Sequence, residues 1–393
     1  MRELRQNWLD LFSAFRIAID PKKMMLGFVG GLVSLAVIFG LLYAFRSAFP
    51  NGLGIFSGFL LDPFHSLTSL KSVAYSMPSP DVLVAREQGL FEVLKHHLAP
   101  GAIGPKEVGF LLVGGVLMLL IWSYFGGTIL RSAAVEFAKD DRIDVREAST
   151  FARKKFSSFF WAPLVPCIGI AFLLLCIYIG GLFGRIPYVG PVVDGLFFFL
   201  ALLAGFLIIL IALGTFFGST LMGPTIAMEG TDAFDAISRS FAYVYGRPWR
   251  YLWCYLAGCA YAIVCTAFVA LFACAVIRIV LCAGAGGMGQ AFDPIGKFLR
   301  ENVRDGQASF VQNFCAVLMK AWIIATWGLV AGFFISMKLT LDTIVYSLLR
   351  RDVDGTDMSE VFVEEEEEEG LAPPEEKTSA APQAPSAGEG TGI

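Results

Sequence analysis

The sequence predicts an all-α polytopic transmembrane helix bundle of about six spans, on the basis of three observations. Hydrophobic residues make up 56% of the 393 residues and charged residues only 16%, against roughly 25% charged residues in soluble domains. The mean hydropathy is +0.66. Six charge-free stretches approach or exceed the roughly 20 residues that cross a hydrocarbon core. The predicted spans are 24–45, 108–130, 156–184, 195–228, 251–277 and 314–337, in a membrane domain of residues 24–351.

Residues 1–23 are predicted to form an interfacial helix before the first span. They lack a removable signal peptide, so the first span is expected to be an uncleaved anchor. Arg16 and two further arginines are available to lipid headgroups. The alternative is that the segment packs against the ends of the other helices. An apolar stripe at spacings of three and four comprises Leu4, Trp8, Leu11, Phe12, Phe15 and Ile19.

A second amphipathic helix is predicted between the fourth and fifth spans. Asp232 is a suitable N-cap, and Asp235 three residues later gives an acidic variant of the capping box. Gly246 can adopt a left-handed conformation, and Pro248 cannot continue the helix. We therefore expect an amphipathic helix along the membrane surface, with Arg239 on its polar side. Its predicted apolar stripe is Phe234, Ile237, Phe241 and Val244.

Basic and aromatic residues cluster where two spans begin. Trp249 follows Arg247, and Trp161 follows a basic run. This composition is typical of anchoring at the headgroup level of anionic lipid. The basic run is Arg153, Lys154 and Lys155.

These two regions belong to an internal repeat. Phe125-Gly-Gly-Thr128 matches Phe217-Gly-Ser-Thr220, and a third copy is predicted to begin near Phe333 and to include Asp357 and Glu360. The pattern indicates three two-helix units in the same orientation, the last one truncated. In the first two copies, Asp144, Glu147, Ala148, Thr150 and Trp161 align with Asp232, Asp235, Ala236, Ser238 and Trp249.

The distribution of basic residues predicts cytoplasmic termini in a cell inner membrane. The segments then placed inside hold 19 of the 30 Lys and Arg residues, and the outer segments hold nine. Five of those nine lie in the long outer loop 46–107, where charge influences topology least.

Residues 352–393 are predicted to be a disordered acidic tail, because six glutamates at 364–369 precede a Pro-rich end. The tail is expected to be solvated, or alternatively to dock onto a basic protein partner. The net charge of −4 comes mostly from this tail. This charge implies no nucleic-acid partner, and membrane lipids are the expected partner.

Catalytic, cofactor-binding and metal-binding residues are not predicted. The histidines, His65, His96 and His97, all lie in the outer loop and do not complete a metal set. The glycines at 284–289 fit G-x-G-x-x-G outside its βαβ context, so a flexible loop is expected there. Charged residues such as Lys338 are interpreted as helix-end anchors, which disfavours a proton-coupled mechanism.

Cysteine and glycine positions leave several contacts open. Cys282 and Cys315 flank one outer loop and could form a disulfide or remain free. Glycines four residues apart could pack helices within one chain or between chains. These pairs are Gly27 with Gly31, Gly214 with Gly218, and Gly328 with Gly332.

The motif Ala236-Ile-Ser-Arg-Ser-Phe241 followed by Gly246-Arg-Pro-Trp249 resembles the signature of uncharacterised six-pass bacterial membrane proteins. These are similar to the membrane region attached to some glycerophosphoryl diester phosphodiesterases. The resemblance implies a membrane module of unassigned role. Because this chain lacks a soluble catalytic barrel, the phosphodiesterase activity is not implied.

Taken with the absence of a catalytic constellation, these features predict a non-catalytic membrane module that organises lipid or partner proteins. A permease or exporter of a lipid-like or amphiphilic solute is the alternative. An intramembrane enzyme is the third hypothesis. It would need polar groups that converge at one depth in the membrane.

Overall fold

The computed structural model describes residues 8–46, 105–301 and 309–362, and it confirms the all-α fold. The long outer loop with its three histidines, and the tail beyond Phe362, lie outside these ranges. Two short 3-10 helices, Trp8–Ser13 and Gly289–Phe292, accompany ten α-helices within the described ranges. The α-helices are α1 Ala14–Ala18, α2 Pro21–Ala44, α3 Pro105–Lys139, α4 Val145–Lys154, α5 Phe156–Phe183, α6 Val189–Glu229, α7 Ala233–Gly246, α8 Pro248–Met288, α9 Asp293–Glu301 and α10 Phe310–Asp354.

Six of these helices, α2, α3, α5, α6, α8 and α10, are long and apolar enough to cross a membrane. They coincide with the six predicted spans, but several continue further. α10 has 45 residues, which corresponds to about 67 Å at 1.5 Å per residue, more than twice a hydrocarbon core of roughly 30 Å. The helix therefore continues well beyond the predicted end of the span at 337, and Lys338 lies inside the helix, not at its end.

The glycine-rich stretch at 284–289 is also different from the prediction. α8 continues through it to Met288, so the expected flexible loop at 284–288 is helical. The helix ends only at Gly289, whose φ of +55° is in the range that favours glycine. Cys282 and Cys315, on either side of the following turn and α9, are both free thiols.

Helix α7 begins where the sequence predicts. The Asp232 carboxylate accepts from the backbone N–H of Asp235 at 3.0 Å. The Asp235 carboxylate, however, accepts from Arg239 Nε at 3.2 Å instead of completing a capping box. The predicted left-handed Gly246 is also wrong, because Gly246 is the last helical residue and the chain turns at Arg247 with φ −139°. The ring of a proline disfavours the helical conformation for the residue before it, here Arg247. Pro248 itself suits the first position of α8.

Most of the buried core lies at one end of the bundle, which we call the polar end. Here the C-terminal ends of α3, α6 and α10 meet the N-terminal ends of α2, α5 and α8. Fully buried side chains include Ile129 of α3, Met228 of α6 and Ile344 of α10. Towards the opposite end, residues such as Leu196 and Phe268 are exposed. Those apolar surfaces are the ones that a bilayer would cover.

The N-terminal segment divides between the two predicted alternatives. Ala14 and Ile17 are fully buried, and Ser336 of α10 donates to the Ala18 carbonyl at 2.9 Å. Trp8 and Phe12 remain exposed. The segment therefore packs against α10 along its inner face, and its described part, from Trp8 onward, forms a 3-10 helix and a short α-helix before α2.

The glycine pairs pack helices within the chain. A Cβ placed on Gly27 of α2 would lie 2.7 Å from the carbonyl oxygen of Gly332 on α10. Gly214 of α6 lies against Phe241 of α7, where a Cβ would come within 2.9 Å of the ring. These seams bring α2 against α10 and α7 against α6.

Candidate functional site

The predicted anchoring residues occupy equivalent places at the polar end. Trp249 is 82% exposed in the first turn of α8, and Trp161 is 43% exposed near the start of α5. Arg247 is exposed immediately before α8. Before α5, Arg153 and Lys154 are exposed and Lys155 is half-buried. We call these two clusters the basic-aromatic belts.

The buried face of helix α7 overlaps most of the predicted stripe: Val244 is buried, and Ile237 and Phe241 pack against the core. Ala236, Ser240 and Tyr243 are buried, whereas Phe234 is 69% exposed. The small side chains of Ala236 and Ser240 allow close approach to α6, where Gly218 lies beneath Ser240. The buried face is therefore wider than the predicted stripe, and Phe234 is the predicted residue that lies outside it. That α7 lies along the membrane surface stays a prediction.

The first charged cluster is built around Glu229, the last residue of α6. Its carboxylate accepts from the Tyr346 hydroxyl at 2.5 Å and lies 2.8 Å from Arg239 Nη1. Arg350 Nε lies 3.0 Å from the same carboxylate, at an angle outside hydrogen-bond geometry. Burial of Arg239 opposes its charged form, but Glu229 and Asp235 outweigh burial and raise the pKa of Arg239.

Two further contacts fasten the end of α10 to this cluster. The Tyr243 hydroxyl of α7 donates to the Asp354 carboxylate. Burial, and then this bond to a negative charge, raise the pKa of Tyr243. Arg250 of α8 donates to Asp352 at 2.7 Å. Asp352 and Asp354 thus lie at the end of α10, where both carboxylates are used in interhelical contacts.

A second cluster surrounds Glu136, near the end of α3. Lys23 of α2, almost fully buried, lies 2.5 Å from Glu136 and also donates to the Ile17 carbonyl at 3.0 Å. Arg142 lies 3.2 Å from the other oxygen of the carboxylate. Nearby, the hydrogen bond from Lys22 lowers the pKa of the exposed Asp144 carboxyl. Both long helices that precede a short amphipathic helix therefore carry a buried, cation-paired glutamate near their ends.

Arg131 of α3 joins the repeated units. Its guanidinium lies 4.3 Å above the Phe151 ring of α4 and donates to the Ala227 carbonyl of α6 at 3.0 Å. It also donates to the Phe362 carbonyl at 2.8 Å, while the Phe362 N–H donates to Met228 at 2.7 Å. Residues 355–362, which we call the C-terminal strap, are thereby attached to both units.

The structure also shows a repeat signal that the sequence reasoning missed. Gly-Thr-Asp occurs at 230–232 and again at 355–357, after α6 and α10. Gly230 and Gly355 have φ of +65° and +71°. Asp232 and Asp357 each accept from a backbone N–H just beyond the turn. The same tripeptide therefore makes the same turn twice, which supports the third, truncated copy.

A groove lies between α8 and α10, on the bilayer side of the charged clusters. It has a volume of about 240 Å³ and mostly apolar walls, including Gly258, Ala262 and Phe334. Lys338 and Asp342 of α10 also line it and form an ion pair at 2.5 Å. The interpretation of Lys338 as a helix-end anchor is wrong, because its partner lies one turn further along the same helix.

Together these features define the class of protein: the chain is a multi-pass integral membrane protein. Within the described ranges, no cluster of His, Cys, Asp and Glu could hold a metal ion. No family model, curated protein or solved structure matches the chain.

Proposed function

We propose that this membrane protein is a non-catalytic module that organises anionic lipid around its polar end. The observation that carries the proposal is the pair of basic-aromatic belts at equivalent places in two repeated units. Exposed Trp side chains favour the headgroup level, and exposed Arg and Lys attract anionic headgroups. Two such belts on one protein would gather these lipids along two edges of the bundle.

The charged clusters support this proposal because they fix the positions of the belts. The Glu229 cluster connects α6, α7 and α10, and Arg250 connects α8 to α10. Arg131 connects the first unit to the second. A rigid arrangement lowers the entropic cost of binding several headgroups at once. The excess of basic residues supports placing the polar end, with both termini, on the cytoplasmic side of the inner membrane.

The test measures lipid enrichment around the protein. The full chain is reconstituted in nanodiscs from mixed neutral and anionic lipids, and the retained lipids are quantified by mass spectrometry. The variant Arg153→Gln/Lys154→Gln/Arg247→Gln should lose enrichment of anionic lipid, by about fivefold for each basic residue removed, since each contributes roughly 1 kcal/mol near an anionic surface.

The matched control, Arg185→Gln/Arg278→Gln, removes exposed positive charges at the opposite end of the bundle. It should retain the enrichment. Equal anionic lipid content in the wild-type protein and the belt variant would refute the proposal.

The groove between α8 and α10 favours one second candidate, a permease or exporter of an amphiphilic solute. A permease transports its solute across the vesicle membrane, whereas a lipid-organising module transports nothing. A flux assay with a fluorescent amphiphile in reconstituted vesicles would therefore separate the two functions.

A further inference from the structure

The groove between α8 and α10 owes its space to small residues on α8. Gly258 and Ala262 lie one turn apart on the wall that faces α10. A Cβ on Gly258 would make ordinary van der Waals contact with Leu341 at 3.6 Å, so the glycine leaves the space of about one methyl group at this wall. The volume of about 240 Å³ is below the roughly 300–1,000 Å³ of typical small-molecule sites. This space suits a narrow chain better than a bulky solute.

The ion pair in the groove wall is asymmetric. The Lys338 side chain is 38% exposed, whereas the Asp342 side chain is only 5% exposed. An ammonium group has three N–H donors, and Asp342 accepts one of them. The pair therefore presents its positive member to the groove and buries its negative one. A ligand with a negative group is the one that this charge arrangement complements.

The groove is also polar towards one end and apolar towards the other. Tyr255, whose ring lies 5.9 Å from the Lys338 ammonium, is nearer to the polar end. Ala262, Ile263 and Phe334 line the part further from the polar end. A lipid in the leaflet at the polar end is oriented in the same way as this groove: its polar headgroup lies towards the polar end, and its apolar chain points to the membrane interior.

We propose that this groove binds the acyl chain of a single-chain anionic amphiphile, with Lys338 holding its head group. The proposal rests on the lipid-organising function and assigns that function one specific internal site. A single exposed ammonium next to Asp342 fits a head group with one negative charge. Both a fatty-acid carboxylate and a phosphodiester supply this chemistry.

The experiment uses photoreactive ligands and the purified full chain in detergent. The probes are a diazirine-labelled fatty acid, the alcohol of the same chain, and a diazirine-labelled single-chain phosphatidylglycerol. Labelling is measured by intact-protein mass spectrometry. At least one of the two anionic probes should label the protein about tenfold more than the alcohol, the ratio that corresponds to one charge-assisted hydrogen bond. The stronger of the two identifies the head group.

Two variants test the site itself. Ala262→Phe fills the groove and should reduce labelling by the anionic probe about tenfold, a loss comparable to one good polar contact. Its control, Val264→Phe, places the same aromatic side chain on the exposed side of α8 and should label like the wild-type protein. Lys338→Gln/Asp342→Asn removes the ammonium without leaving an unpaired charge, and should reduce anionic labelling to the level of the alcohol.

The control for that charge change is Lys22→Gln/Asp144→Asn, at an exposed pair away from the groove. Equal labelling by all three probes, or equal labelling of Ala262→Phe and Val264→Phe, would overturn the proposal. The belt variant keeps the groove intact. If it loses nothing in the nanodisc measurement while groove labelling persists, the lipid-organising function fails and the binding site stands.

Discussion

Two buried glutamates organise the charges at the polar end. Glu136 gathers cations from α2 and from the turn after α3, and Glu229 gathers them from α7 and α10. A buried carboxylate is costly to desolvate, and only well-placed partners offset that cost. Each glutamate therefore specifies which helix ends meet, since any other arrangement would leave its charge or those of its partners unpaired.

We expect Glu229→Gln to destabilise the protein strongly. Glutamine has nearly the same shape and can still accept from Tyr346, but it leaves Arg350, only 13% exposed, with just the exposed Glu360 carboxylate at 3.8 Å as a counter-charge. Breaking a buried ion pair lowers the free energy of unfolding by roughly 3–5 kcal/mol. Because Arg239 is partly exposed, we expect a loss at the low end of this range, about 3 kcal/mol. The measurement is the melting temperature of detergent-solubilised protein.

The control for this prediction is Lys22→Gln, which removes one member of an exposed pair with Asp144. Exposed pairs contribute little because water and salt screen them. A melting temperature for Glu229→Gln as close to the wild-type value as that of Lys22→Gln would show that the Glu229 cluster is not a source of stability.

Predictability at the residue scale depends on sequence separation. The Asp232 cap is predicted correctly because its acceptor and donor are three residues apart. The contact of Glu229 with Arg350 is not predictable in this way, since a tertiary fold brings the two together. Arg131 is hidden for the same reason: its acceptors are on α6 and on the C-terminal strap.

At the scale of elements, α2 and α10 cross with their backbones in close approach. A Cβ on Gly332 would lie 2.9 Å from the backbone nitrogen of Phe28 and still nearer to the carbonyl of Met24. Backbone atoms cannot move aside as a side-chain end can. The close crossing of α2 and α10 therefore requires glycine at position 332, where any side chain would collide with the backbone of α2.

We expect Gly332→Ala to lower the melting temperature, because α2 must shift to admit the methyl group. Overpacking of this kind costs roughly 1–3 kcal/mol. Gly40→Ala is the matched control on α2, since a Cβ there has nothing within 4 Å. It should raise stability slightly, because alanine is favoured over glycine in helices by about 0.5–1 kcal/mol. Two variants that shift the melting temperature in the same direction would contradict the tight crossing.

The ends of the elements show where sequence reasoning fails. A charge-free window ends at the first charged residue, so it stops α10 at 337. In the structure Asp342 pairs with Lys338 one turn later, and the helix continues to Asp354. A charged residue therefore does not by itself end a helix. The same rule ends two other predicted spans at 130 and 277, whereas α3 continues to Lys139 and α8 to Met288.

At the scale of the whole molecule, the chain consists of repeated units joined at one end. α3, α6 and α10 all end there, and each is followed by a turn that contains an aspartate, at 144, 232 or 357. The first two turns lead into short helices and new spans, and the third leads into the C-terminal strap. The buried core and the charged clusters belong to this shared end, so the units depend on one another mainly there.

This arrangement makes the direction of the polar end in the membrane testable with two positions. Ser238 is exposed on α7 at the polar end, and Gln290 is exposed in the turn after α8 at the opposite end. In a variant without the eight native cysteines, we introduce Ser238→Cys or Gln290→Cys. A membrane-impermeant maleimide applied to intact cells should label only Gln290→Cys, because the excess of Lys and Arg favours a cytoplasmic polar end.

Permeabilised cells should show labelling at both positions, which establishes that each thiol is reactive. Labelling of Ser238→Cys alone in intact cells would reverse the orientation and place the basic-aromatic belts at the outer leaflet. Labelling of both positions from outside would contradict the membrane crossing itself. The two thiols lie at opposite ends of the bundle, which the 41-residue helix α8 connects, and both ends would then be on the same side of the bilayer. In that case the six apolar helices would not span the membrane, and something other than a bilayer would have to cover their surfaces.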